Sequence, residues 1–138
     1  LNDSYSQKEC WMTYGSYMMY PHGIIGPEPS EYPTEVVNNN SYRSDRWRAS
    51  HLRSFRRHLW DRIDHEDLQY DDGTYYRMAY DQAIMLPLLE MAGHRSKYIP
   101  EILHVYNKEN PLNVDKIKTQ EQVRTAQEIR NKKPYERL

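Results

Sequence analysis

The chain has 138 residues, a formal net charge of −1 and 38% hydrophobic residues, enough for one compact domain and short for two, so a single domain over 1–138 is expected. Its longest apolar run, Ala83 to Leu89, contains a proline and falls far below the roughly 20 residues that span a bilayer, and no basic start with an apolar stretch marks a signal peptide. The one cysteine, Cys10, excludes an internal disulfide framework and a cysteine-based zinc site, and suits a reducing compartment.

Low mean hydropathy points toward disorder, but thirteen tyrosines, three tryptophans and six methionines supply large side chains that disordered chains lack. In chain order, Cys10 to Gly15 predicts an aromatic strand stopped by a glycine. Pro21, Gly23, Gly26, Pro27, Pro29 and Pro33 then predict a long Pro/Gly-rich loop, either a binding loop or a surface excursion. Arg43 to Arg62 holds seven of the twelve arginines against Asp45 and Asp61. Within it Leu52, Phe55, Leu59 and Ile63 recur at helical spacing, and Ser50 stands where an N-cap would, so an amphipathic helix is predicted over His51 to Ile63. Its arginines form either a solvated face or a contact for phosphate-bearing or acidic partners.

Asp64 to Asp67 predicts an acidic loop or helical turn, and Asp71-Asp72-Gly73 a turn; neither has the spacing of a calcium loop. From Asp81, as N-cap, an apolar helix is predicted to run to Gly93, with Pro87 kinking it or displacing its first turn. Lys97 to Tyr106, broken by Pro100, predicts two short strands or one bent strand. Asn107 to Asn113 follows as a polar loop, and Val114 to Lys132 as a surface helix carrying Ile117, Val123, Ala126 and Ile129.

The six histidines form no zinc-binding pair, the five glycines form no phosphate-cradling loop, and no nucleophile elbow is present. Overall acidity and the one-sided arginine cluster argue against nucleic acid. The most suggestive carboxylate is Asp81, which at the start of a buried helix either caps it or also faces a cleft as a proton acceptor.

Five segments in order carry a resemblance: Trp11 to Gly15; Tyr42-Arg43 with Trp47 to Arg56; Tyr80 to Gly93; Ile102 to Asn107 with Asn110 to Asn113; and Ile129 to Tyr135. Together they resemble the C-terminal half of family-2 glycosyltransferases. The resemblance implies an α/β class, A-type glycosyltransferase fold of which this chain would be the acceptor-side part, a few short strands with about three main helices. It implies inverting transfer of a sugar from a nucleotide-sugar donor to an acceptor hydroxyl, with Asp81 as general base. Trp47, His51, Arg53 and Tyr80 fall at acceptor-side positions, with Tyr80 where the family commonly has Glu. Tyr106, Asn107 and Asn110 fall on the loop that closes over the donor diphosphate, with Asn107 and Glu109 replacing basic and imidazole groups, and His104 stands where it could substitute as a metal ligand.

The family's Asp-x-Asp motif for a divalent metal, Mn or Mg, is absent from these residues, so the resemblance places it in a missing N-terminal donor-binding half. The chain by itself is then expected to be inactive, to bind no metal tightly and to self-associate through exposed aromatics. The location expected is the cytoplasm or the periphery of a membrane, with a role in polysaccharide synthesis. The alternative is a non-enzymatic module derived from that fold, which binds a glycan or a protein.

Overall fold

A computed structural model describes residues 1–110 and 119–138. The fold is mixed α/β: six short strands in two three-stranded sheets, with two longer helices and three of four or five residues among the described residues. In order these are α1 (Asn2–Ser6), β1 (Met12–Gly15), β2 (Met18–Tyr20), β3 (Ile24–Ile25), α2 (Thr34–Asn38), β4 (Ser50–Phe55), α3 (Arg57–Trp60), α4 (Tyr80–Ala92), β5 (Ser96–Ile99), β6 (Val105–Asn107) and α5 (Thr119–Asn131). No helix among the described residues is long and apolar enough to cross a membrane.

The first sheet has the order β4-β1-β5 and the second β3-β2-β6. In each, the central strand pairs antiparallel on one side and parallel on the other. Because only Ser16 and Tyr17 separate β1 from β2, one bent stretch of chain centres both sheets, and β5 and β6 pair along it in the same direction. Ser16 is buried in the bend.

Gly15 is required at that bend. A Cβ there would sit 3.0 Å from the carbonyl oxygen of His51 on β4 and 3.1 Å from that of Ile99 on β5. Only a residue without a side chain lets both neighbours close on β1.

The strand at Met12–Gly15 and the pair of strands at Ser96–Ile99 and Val105–Asn107 agree with the sequence patterns. The Pro/Gly-rich segment is not unbroken loop, since it holds β3 and α2. The larger difference lies at His51–Ile63. Residues 50–55 form a strand, and helix is confined to Arg57–Trp60, so Ser50 caps nothing. Pairing with β1 overrides the helical spacing. Ser54 Oγ bonds Thr13 Oγ1 at 2.6 Å across the ladder and Tyr5 Oη at 2.9 Å, while Leu52 and Phe55, placed by the spacing on a buried stripe, stay 38% and 37% exposed.

Helix α4 is the core element. Ala83 and every residue from Met85 to Ala92 are buried, and the helix runs through Pro87. Its N-cap is Ala79, in the left-handed region at φ 51°, not Asp81, which lies in the first turn. Gly93, at φ 53°, ends the helix as the sequence suggests. Met12 and Tyr14 from β1, Tyr42, Ala49, Leu59 and Ile129 share one core cluster with α4, the large apolar side chains Met12, Leu59 and Ile129 each contributing roughly 1.5–3 kcal/mol by leaving water.

One charged pair is built into this core. Glu90 is fully buried and accepts from Arg43 Nε at 2.6 Å, Arg43 Nη2 at 3.0 Å and the Tyr135 amide at 2.9 Å, while Arg43 Nη1 donates to the Ile129 carbonyl at 2.6 Å. The pair clamps α4, α5 and the C-terminal tail to the segment before β4. In α5 the packed stripe is Gln122, Thr125, Ala126 and Ile129, at i, i+3, i+4 and i+7; Val123, expected on the apolar face, is exposed. The expected helix start at Val114, with Ile117, and loop residues Pro111, Leu112 and Asn113 lie outside the described residues.

Candidate functional site

The site forms where the two sheets meet the start of α4. On β4, His51 and Arg53 are two residues apart and both line the same cleft. His104 directly precedes the second sheet's edge strand β6, which carries Tyr106. The His51 and His104 rings stack across the junction, with centroids 4.5 Å apart and planes inclined by 27°. Asp81 enters from the first turn of α4.

Two adjoining clefts result, of about 220 Å³ and 250 Å³, sharing His51, Asp81, Tyr106 and Gln122. The first adds Trp47, Arg48, Glu28 and Lys108; the second adds Arg53, Arg77 and Tyr80. Trp47, His51, Arg53, Tyr80, Asp81 and Tyr106, six residues singled out from three separate sequence segments, therefore line one continuous surface. His104 stands beside it against His51. Asn107 and Asn110 do not line either cleft. The Asn107 side chain instead accepts the Glu109 amide at 3.0 Å, closing the turn after β6.

Asp81 is anchored on both oxygens. Oδ2 accepts from Arg53 Nη2 at 3.0 Å, and Oδ1 accepts the Gln82 amide at 3.0 Å. A carboxylate oxygen has two acceptor positions, so each oxygen keeps one, and the side chain is 33% exposed toward the cleft. Arg53 is itself fixed, donating to the Ala49 carbonyl at 3.0 Å with its guanidinium 5.6 Å from the Trp47 ring centroid.

His51 is a neutral imidazole at physiological pH. Burial, reinforced by the charges of Arg53 and His104 and opposed by Asp81, brings it down from 6.5 to about 4. The stacked pair presents ring faces to one another, and no group of three His, Cys, Asp or Glu side chains able to hold a metal occurs among the described residues.

Sequence reasoning passed over Gln122, Arg48, Lys108 and the Glu28–Pro29 edge of the long loop. Gln122 had a signal: it is a polar residue on the packed stripe of α5. The Pro/Gly-rich composition left the loop open as a binding loop or a surface excursion, and its edge is held at the cleft by tertiary bonds, Arg46 Nη1 to the Glu28 carbonyl at 2.7 Å and Arg48 Nη1 to Ser30 Oγ at 2.9 Å. That segment is therefore a wall of the site.

Compared with protein-family models, with characterised proteins and with solved structures, the chain has no match.

Proposed function

We propose that this chain forms the acceptor side of an inverting glycosyltransferase that uses a nucleotide-activated sugar, with Asp81 as the general base. The observation that carries the proposal is the placement of Asp81: a partly exposed carboxylate at the start of a buried helix, held on two sides, in a cleft walled by Trp47, Tyr80 and Tyr106. Aromatic walls suit the apolar faces of sugar rings, and a fixed carboxylate suits removal of a hydroxyl proton.

In the reaction the acceptor oxygen bonds to the anomeric carbon as its proton passes to Asp81. The nucleoside diphosphate leaves with the electron pair of the broken carbon–oxygen bond, and the configuration inverts. Arg53 keeps the Asp81 carboxylate aimed into the cleft. Neutral His51 offers a hydrogen-bonding nitrogen to an acceptor without adding charge.

A divalent cation would neutralise the donor diphosphate. The resemblance assigns that cation, with the nucleotide, to a donor-binding half joined to this chain. The test is transfer from a panel of nucleotide sugars, with manganese present, by a protein that joins this chain to such a half. Product of inverted configuration supports the reading; a glycan-binding protein with no transfer would favour the alternative of a non-enzymatic binding module, to which the same aromatic walls are suited.

A further inference from the structure

A third cleft, of about 290 Å³, opens on the far side of Tyr80 from Asp81. Its walls come from α3, the turn at residues 65–68, the segment before α4 and the first turns of α4, and Trp60, Tyr75, Tyr76 and Tyr80 contribute four aromatic rings, with Leu68 and Ile84 completing an almost wholly apolar lining. Two of the hydroxyls at its rim are already engaged: Tyr76 Oη donates to Glu128 Oε1 at 2.9 Å, and Tyr75 Oη lies 3.2 Å from His65 Nδ1. Tyr75 and Tyr80 are nonetheless 55% and 60% exposed, so their ring faces are open to a ligand.

This lining decides the chemistry of the occupant. A sugar ring placed there would strip water from several hydroxyls and find few partners, each loss costing about 1–3 kcal/mol. A planar apolar ring loses nothing of that kind and gains edge and stacking contacts with four aromatic neighbours. The size is near the lower end of the roughly 300–1,000 Å³ typical of small-molecule sites.

We propose that this cleft binds an aromatic ring, and, resting on the transfer reading above, that it seats the aromatic portion of the acceptor while the acceptor's hydroxyl faces Asp81. Tyr80, which lines both clefts, is the wall between the two parts.

The test is NMR titration of the full chain with phenyl, cyclohexyl and methyl β-D-glucosides, following the Trp60 indole N–H and the Ile84 methyls. Phenyl glucoside is expected to move both signals saturably and more tightly than cyclohexyl glucoside, and methyl glucoside to leave them in place. Tyr75→Ala, at an exposed position, is expected to weaken phenyl binding roughly three- to tenfold, and Tyr75→Phe to preserve it, since the ring and not the hydroxyl makes the contact. Unmoved Trp60 and Ile84 signals, equal binding of the cyclohexyl compound, or equal loss in Tyr75→Phe would overturn the proposal. With the unsubstituted chain joined to a donor-binding half, absence of sugar transfer while phenyl binding is intact counts against the transfer reading alone, and transfer without any preference for the phenyl acceptor counts against the aromatic cleft alone.

Discussion

Arg53 and Asp81, 28 residues apart in sequence, meet at 3.0 Å where strand β4 passes the first turn of α4. The same guanidinium bonds the Ala49 carbonyl and lies over Trp47, so one side chain orients both the carboxylate and an aromatic wall of the cleft.

Removing that side chain is expected to have a modest effect on stability and a larger one on the site. Asp81 is a third exposed, so Arg53→Ala is expected to lower unfolding free energy by only about 1 kcal/mol in a urea titration. Arg53→Lys is expected to recover little of the order at Asp81, because an ammonium cannot serve the Ala49 carbonyl, the carboxylate and the indole face together.

The buried pair is expected to behave differently. Glu90→Gln leaves the Arg43 guanidinium buried without its counter-charge, and a loss of about 3–5 kcal/mol is expected by chemical denaturation, a large part of a domain's total. The double variant Arg43→Met with Glu90→Met is expected to lose less than the two single variants summed.

Gly15→Ala is expected to destabilise by about 1–3 kcal/mol, since the new methyl group meets two backbone carbonyls and neither can swing aside. One of them belongs to His51, so the His51–His104 stack is expected to shift with it, visible as movement of both imidazole signals in NMR.

What the sequence made legible follows the same division between local and tertiary causes. The largely apolar stretch from Ala83 to Ala92, interrupted by Glu90 and closed by Gly93, marked a buried helix, and the strand at Met12–Gly15 carried its own stop. Asp81 was legible as a helix-start carboxylate, although Ala79 and not Asp81 is the cap. The segment 51–55 was misread because Leu52, Phe55, Leu59 and Ile63 mimic a helical stripe, and its strand state depends on β1, some forty residues away. The Glu28–Pro29 wall lies in the Pro/Gly-rich stretch for which a binding loop and a surface excursion were both open, and its place at the cleft depends on arginines 46 and 48, distant in sequence.

Protonation of His51 gives a pH prediction with a definite sign. Its value falls from 6.5 in the unfolded chain to about 4 in the fold, so the folded state binds the proton less tightly. The stability linked to this is complete above pH 6.5 and is lost as pH falls toward 4. His51→Gln is expected to flatten that part of the stability profile, and the His51 imidazole is expected to titrate near pH 4 in the folded protein; a midpoint near 6.5 would contradict the burial argument.

The central claim is that Asp81 takes the acceptor proton. Its most direct measurement is the rate of sugar transfer by the Asp81→Asn variant of the protein that joins this chain to a nucleotide-sugar-binding half. The amide keeps the shape of the side chain and is expected to leave folding stability within about 1 kcal/mol of the parent, while transfer falls by about 10²–10⁴-fold. Transfer at the parent rate, with the variant folded, would contradict it.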